Sequence, residues 1–265
     1  MNRIDTVFRR KRELGSKALV MFVSAGDPEL AFTEQLIPAI AEAGADIIEV
    51  GVPFSEPMAD GPTIQAASER ALKSGTTLAG IMAMLRRVRL RIPQTPLVLF
   101  SYYNVILQYG VERLATDCAA IGIDAWLVVD LPPEEEDEIL PALKAAGIAR
   151  ITLLAPTTPP ERMAWLLSRA QGFVYYITVT GVTGARVELP ADLSAQLGAV
   201  KAASSVPVVA GFGVSSPEQA LAVAARVDGV VVGSKLVSTV AEAKDRAAAL
   251  AAASDLTRRL AAALK

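Results

Sequence analysis

The chain has 265 residues, 52% of them apolar and 5% aromatic, with a net charge of −2 and no histidine. That is ample material for one large core, carries no basic patch for nucleic acid, and excludes Ser-His-Asp triads, Cys-His pairs and histidine-ligated metals. Acid–base work therefore falls to Asp, Glu, Tyr or Lys. The N-terminus carries Arg3, Asp5, Arg9, Arg10, Lys11 and Arg12 with no apolar stretch behind them. It reads as an amphipathic opening helix rather than a signal peptide. Eight short apolar runs follow: Ala18–Ser24, Ile47–Val52, Pro96–Tyr102, Ala125–Asp130, Arg150–Ala155, Phe173–Val179, Val206–Ala210 and Gly229–Val232. Each is nearly continuous rather than alternating, as expected of strands buried on both faces, and none is long enough to span a membrane.

Helical patterns separate the runs. Asp27-Pro28-Glu29 has the form of an N-cap with proline at the first helical position, and Gly44 closes that helix. Ser216-Pro217-Glu218 repeats the pattern, and Pro132-Pro133 opens a helix with Glu134–Glu136 in its first turn. The Ala-rich tail, Ala241–Lys265, is expected to hold the last barrel helix and an outer extension. Eight strands with intervening helices match a single (β/α)8 TIM barrel with an extra N-terminal helix, one domain over residues 1–265. A doubly wound sheet is the alternative, but it would show fewer strands and a G-x-G-x-x-G at the first turn.

In a barrel the strand C-termini and the loops after them form one functional face. Glu49, Asp60, Tyr102, Asp130, Tyr175, Thr183, Gly213 and Ser234 fall on or near it. Glu49 follows the apolar Ile47-Ile48 where the second strand is expected to be ending, and Asp60 follows eleven residues later in a loop punctuated by proline and glycine. A carboxylate in an apolar strand must be paired, protonated or used, and two carboxylates at one mouth can divide acid and base roles. Gly211-Phe212-Gly213 and Gly233-Ser234 follow the seventh and eighth strands, where this fold seats phosphate on backbone amides. Lys235 is the one nearby cation. Thr180–Arg186, with glycines flanking Val182-Thr183, reads as a lid. Cys118, the only cysteine, reads as a small buried hydrophobe and allows no internal disulfide, which suits a reducing cytosol.

Together these segments resemble the tryptophan synthase alpha chain family over nearly the whole length. The strongest are Phe22–Pro28, Glu49–Gln65, Ser101–Asn104, Asp130–Pro133, Thr180–Arg186, Gly211–Ser215 and Gly233-Ser234. The resemblance implies a lyase of tryptophan biosynthesis that cleaves indole-3-glycerol phosphate by retro-aldol chemistry to indole and glyceraldehyde 3-phosphate. It implies a cytoplasmic alpha2-beta2 heterotetramer whose beta chain carries pyridoxal phosphate and receives the indole through a tunnel. The alpha chain itself needs no cofactor and no metal, and binds neither nucleic acid nor membrane.

By the same resemblance Glu49 shuttles protons, and Asp60 accepts the indole N–H and stabilises the cationic ring. Thr183 holds Asp60, while Phe22, Phe100 and Leu127 line the indole pocket. Tyr175 sits near the glycerol chain, and Gly184, Gly213, Gly233 and Ser234 take the phosphate. The chain departs from the family pattern at Glu56, Val105 and Lys235. Three rivals remain: a free-standing indole-releasing lyase, a barrel kept mainly as an allosteric activator of the beta chain, and a phosphosugar isomerase or epimerase. The last is disfavoured because those enzymes depend on histidine.

Overall fold

The computed structural model describes residues 2–177, 191–211 and 213–265. Its strands are β1 Ala18–Ser24, β2 Ile47–Gly51, β3 Leu97–Ser101, β4 Ala125–Val128, β5 Ala149–Arg150, β6 Thr152–Leu154, β7 Val174–Ile177, β8 Val208–Gly211 and β9 Gly229–Val232. Its α-helices are α1 Arg3–Glu13, α2 Leu30–Glu42, α3 Pro62–Lys73, α4 Leu78–Arg91, α5 Tyr103–Tyr109, α6 Val111–Ile121, α7 Leu140–Ala146, α8 Pro160–Ser168, α9 Ala191–Ala203, α10 Pro217–Ala224, α11 Ser234–Ala241 and α12 Arg246–Ala263. All strand pairs are parallel, and the first strand β1 pairs with both β2 and the last strand β9, so the order β5-β4-β3-β2-β1-β9-β8-β7-β6 begins and ends on the two halves of one chain segment, a nearly closed barrel rather than an open doubly wound sheet. The nine strands are the eight expected ones with the fifth broken at Ile151: β5 pairs with β4, and β6 pairs with β7.

The unbroken apolar runs are explained by two packed faces. Leu19, Met21, Ile48, Val50, Leu97, Trp126, Val174 and Val230 pack outward into the helix layer. Residues of the other parity, including Val20, Ile47, Val98, Leu127, Val209 and Val231, fill the barrel. Burying each such side chain stabilises the fold by about 1.5–3 kcal/mol relative to exposure. Helix α1 stoppers the N-terminal end with Ile4 and Phe8, whose ring lies 5.9 Å from that of Phe173. The helix begins with a capping box between Asn2 and Asp5 and is clamped to the barrel by Arg3, which reaches Asp124 Oδ1 at 3.1 Å.

Three local expectations are corrected. Asp27 does not cap α2, because Arg70 engages its carboxylate with two bonds of 2.7 Å each, and Glu29 stands at the N-cap without a side-chain bond. Ser216 does cap α10 through the Gln219 N–H. Pro132-Pro133 leads first into a 3-10 helix, Pro133–Glu138, and only then into α7. The last barrel helix, α11, ends where the Ala-rich tail begins, so the tail forms only the extension: α12, capped by Asp245 and packed on α2, α10 and α11.

Candidate active site

Glu49 lies mid-strand in β2 and faces the barrel axis, level with Phe22 of β1 and Val98 of β3. It is fully buried, neither carboxyl oxygen has a hydrogen-bond partner, and burial alone pushes its pKa up to about 8. At neutral pH it is therefore a neutral acid able to give up a proton. Two glycines make room for the neighbouring rings of Phe22 and Tyr175. A Cβ at Gly51 would lie 2.4 Å from the Phe22 ring, and one at Gly211 would lie 2.6 Å from the Tyr175 hydroxyl. The Tyr175 phenol is held protonated, mainly by burial and further by the fields of Glu49 and Asp60.

Beyond these residues opens a cavity of about 300 Å³, lined among others by Phe22, Asp60, Phe100, Tyr175, Gly213 and Ser234; Glu49 itself does not reach the wall and lies behind Phe22 and Tyr175. Phe22 and Phe100 meet edge to face, with ring centroids 5.2 Å apart. Val129, Leu153, Ile64 and Ile177, which sequence reasoning did not single out, complete the apolar wall. Inward alternation along β4 was the signal available for Val129. Leu127 is the previous inward residue of that strand and lies fully buried in the barrel core, off the cavity wall.

Asp60 projects from the loop between β2 and α3, and its carboxylate accepts a 2.9 Å bond from the Tyr102 hydroxyl. That hydroxyl in turn accepts the Ala59 N–H at 3.0 Å, and the Phe54 ring lies 5.0 Å from the Tyr102 ring. Buried Tyr102, which the sequence put on this face without a role, therefore pins the loop at three points. Burial raises the Asp60 pKa, and the Tyr102 bond opposes that rise. Asp130 is spent elsewhere, accepting the Tyr103 N–H at 2.7 Å at the start of α5.

Across the mouth, Gly211, Gly213, Gly233 and Ser234 line the cavity. Gly213 has φ +65° and nothing within 4 Å of where a Cβ would stand, and no side chain caps the start of α11 at Gly233. Left-handed backbone beside an uncapped helix start is a suitable seat for an anion. Lys235 is not on the cavity wall. Thr183, Gly184, Phe212 and the rest of the expected lid lie outside the described residues. Cys118 is buried as expected: Trp126 Nε1–H points at its sulfur at 3.3 Å, and burial lifts the thiol to about 12.

A buried acid, a cavity with a second carboxylate on its wall, and left-handed backbone beside an uncapped helix start lie together at one end of the barrel, and known proteins resemble the chain that builds this arrangement. The family profile described as tryptophan synthase alpha chain matches residues 8–265. The tryptophan synthase alpha chain of Geobacter sulfurreducens is 55% identical over 237 residues, covering 89% of each chain. That of Pelobacter propionicus is 54% identical, covering 89% of this chain and 88% of its own. Among solved structures, tryptophan synthase subunit alpha from Legionella pneumophila superposes with a TM-score of 0.91 at 36% identity, covering 100% and 98% of the two chains. A Mycobacterium tuberculosis tryptophan synthase structure gives 0.90 at 37% identity, covering 99% and 98%. On its sequence and its structure alike, this chain belongs to the tryptophan synthase alpha chain family.

Proposed function

We propose that the described cavity carries out the family's lyase reaction, the retro-aldol cleavage of indole-3-glycerol phosphate, with Glu49 and Asp60 in distinct roles. The bond to break joins indole C3 to the glycerol chain. Indole leaves only after C3 is protonated, which puts positive charge on the ring. Protonated Glu49 supplies that proton. Its carboxylate then removes the proton of the glycerol hydroxyl as the aldehyde forms, the C–C bond breaks, and the bonding pair returns to the ring. Indole and glyceraldehyde 3-phosphate are released with Glu49 again protonated. Asp60, held by Tyr102, accepts the indole N–H and stabilises the cation. Phe22 and Phe100 line the indole pocket, Tyr175 stands beside the glycerol chain, and Gly213, Gly233 and Ser234 hold the phosphate. Thr183 and Gly184 are proposed to hold Asp60 and the phosphate from the lid.

The observation that carries this reading is Glu49 itself, buried, unbonded and shifted to about 8 under a cavity rimmed by a second carboxylate. Pyridoxal phosphate belongs to the family's beta chain, with which this chain acts in an alpha2-beta2 assembly. We further propose that residues 1–265 work as one domain in the cytoplasm, where a lone buried cysteine needs no oxidising environment. The direct test is indole release from indole-3-glycerol phosphate by the purified chain; absence of indole both with and without a beta chain would overturn the assignment.

A further inference from the structure

The ring of strands is not evenly laced. On one side β4 pairs with β3 up to Val128 against Ser101. On the other it meets β5 at Ala125 with Ala149 and Trp126 with Arg150, held by the Ala149 N–H to the Asp124 carbonyl, 3.0 Å, and the Ile151 N–H to the Trp126 carbonyl, 2.9 Å. Past Ile151 the chain pairs with β7 alone, as β6. The wall therefore parts between residues 127–129 and 152–155. A second cavity of about 330 Å³ occupies the gap. Its lining includes Val129 and Leu153 of the inner layer, both shared with the active-site cavity, together with Val128 and Leu154 of the outer, helix-facing layer. In an intact sheet those residues point to opposite faces and cannot line one space. The outer part of the space reaches the buried Arg150–Glu136 ion pair, 2.8 Å, with Asp130, Thr158 and Arg162, while Val129 and Leu153, on the side shared with the active-site cavity, are apolar.

The topology also gives the gap a direction. The anion seat lies after β8 and β9, the seventh and eighth positions of the barrel, so on the rim directly opposite stand the third and fourth, β3 and β4, the second of which borders the gap. A substrate anchored there by its phosphate points its far end at that rim. We propose that the gap between β4 and β6 is a subsite for a substituent on the benzo edge of the indole ring. The enzyme then accepts indole-3-glycerol phosphates bearing a small apolar group, methyl or halogen, at the ring position facing Val129 and Leu153. This rests on the lyase reading above.

The test compares kcat/KM for the parent substrate with that for its 4-, 5-, 6- and 7-methyl analogues. One extra methylene that has no pocket typically costs about 10–200-fold. One analogue is expected to stay within about tenfold of the parent while the others fall further. Ala155→Leu narrows the gap from a residue off the active-site wall. It should cost the favoured analogue about tenfold more while leaving the parent within about threefold. Val128→Ala should widen the gap and admit an ethyl group at the same position. If wild type does not cleave the parent, the lyase reading falls and the subsite with it. If it cleaves the parent but rejects all four analogues alike, or if Ala155→Leu slows parent and analogue equally, the subsite alone is overturned.

Discussion

Glu49 is a carboxyl without a partner, and that ties the stability of the fold to pH. Its value near 8 lies above the ordinary 4.5, so between those limits the native chain keeps a proton that the unfolded chain has released. Stability from this group is full below pH 4.5, falls as pH rises through the interval, and levels off above about 8. The shift is worth roughly 3–5 kcal/mol across that range. Glu49→Gln removes the titration, so urea unfolding should show the variant gaining on wild type from pH 4.5 to pH 8.5. A difference that does not change with pH would mean that Glu49 ionises normally. The same residue was legible in the sequence because an acid inside an apolar strand has few bland explanations. Tyr102 was not, because a tyrosine ending a strand looks like packing and its two hydroxyl bonds depend on where a distant loop lands. Asp60→Asn should lower kcat by about 10² with little change in KM, since its partner is the cationic ring formed on the way to the transition state. Tyr102→Phe should cost about tenfold, and the double variant should lose less than the product of the two, because Tyr102 acts through Asp60. Multiplicative losses would separate them.

Loops and helix starts carry the phosphate end of the account. Gly213 sits at φ +65° after β8, a conformation that a β-branched residue resists. Gly213→Val should weaken glycerol 3-phosphate binding at least tenfold in a direct titration; unchanged affinity would move the anion seat elsewhere. Helix boundaries show how far local chemistry can be read. Asp27-Pro28-Glu29 and Ser216-Pro217-Glu218 have the same form, yet only Ser216 caps its helix. The difference lies in Arg70, a residue of α3 that takes the Asp27 carboxylate, and no local pattern contains that competitor. The glycines after β8 and β9, in contrast, were legible as cavity-lining backbone, and the structure places Gly211, Gly213 and Gly233 on that wall.

The barrel as a whole was readable from eight apolar runs buried on both faces. The break at Ile151 was not, because periodicity reports which side chains are buried and not which neighbour a strand pairs with. The loop of residues 53–60 has two large apolar side chains that could anchor it, Phe54 and Met58. Phe54 does rest on Tyr102, but Met58 is 83% exposed beside exposed Glu56. A beta chain docking on that outer side would hold Asp60 in place, so indole release at saturating substrate should rise as the cognate beta chain is titrated in. Reciprocity then requires substrate-like ligands to tighten the complex. A flat titration with complex formation shown independently would favour a free-standing lyase.

The central claim is that Glu49 moves the protons. The most direct test is single-turnover indole formation by Glu49→Gln with the beta chain present, alongside a glycerol 3-phosphate titration to show that the site still binds. A positioned acid–base group is worth about 10²–10⁴ in rate, and one used twice belongs near the upper end. Glu49→Gln should lose about 10⁴ in rate with ligand affinity unchanged. Turnover within a few-fold of wild type would contradict it.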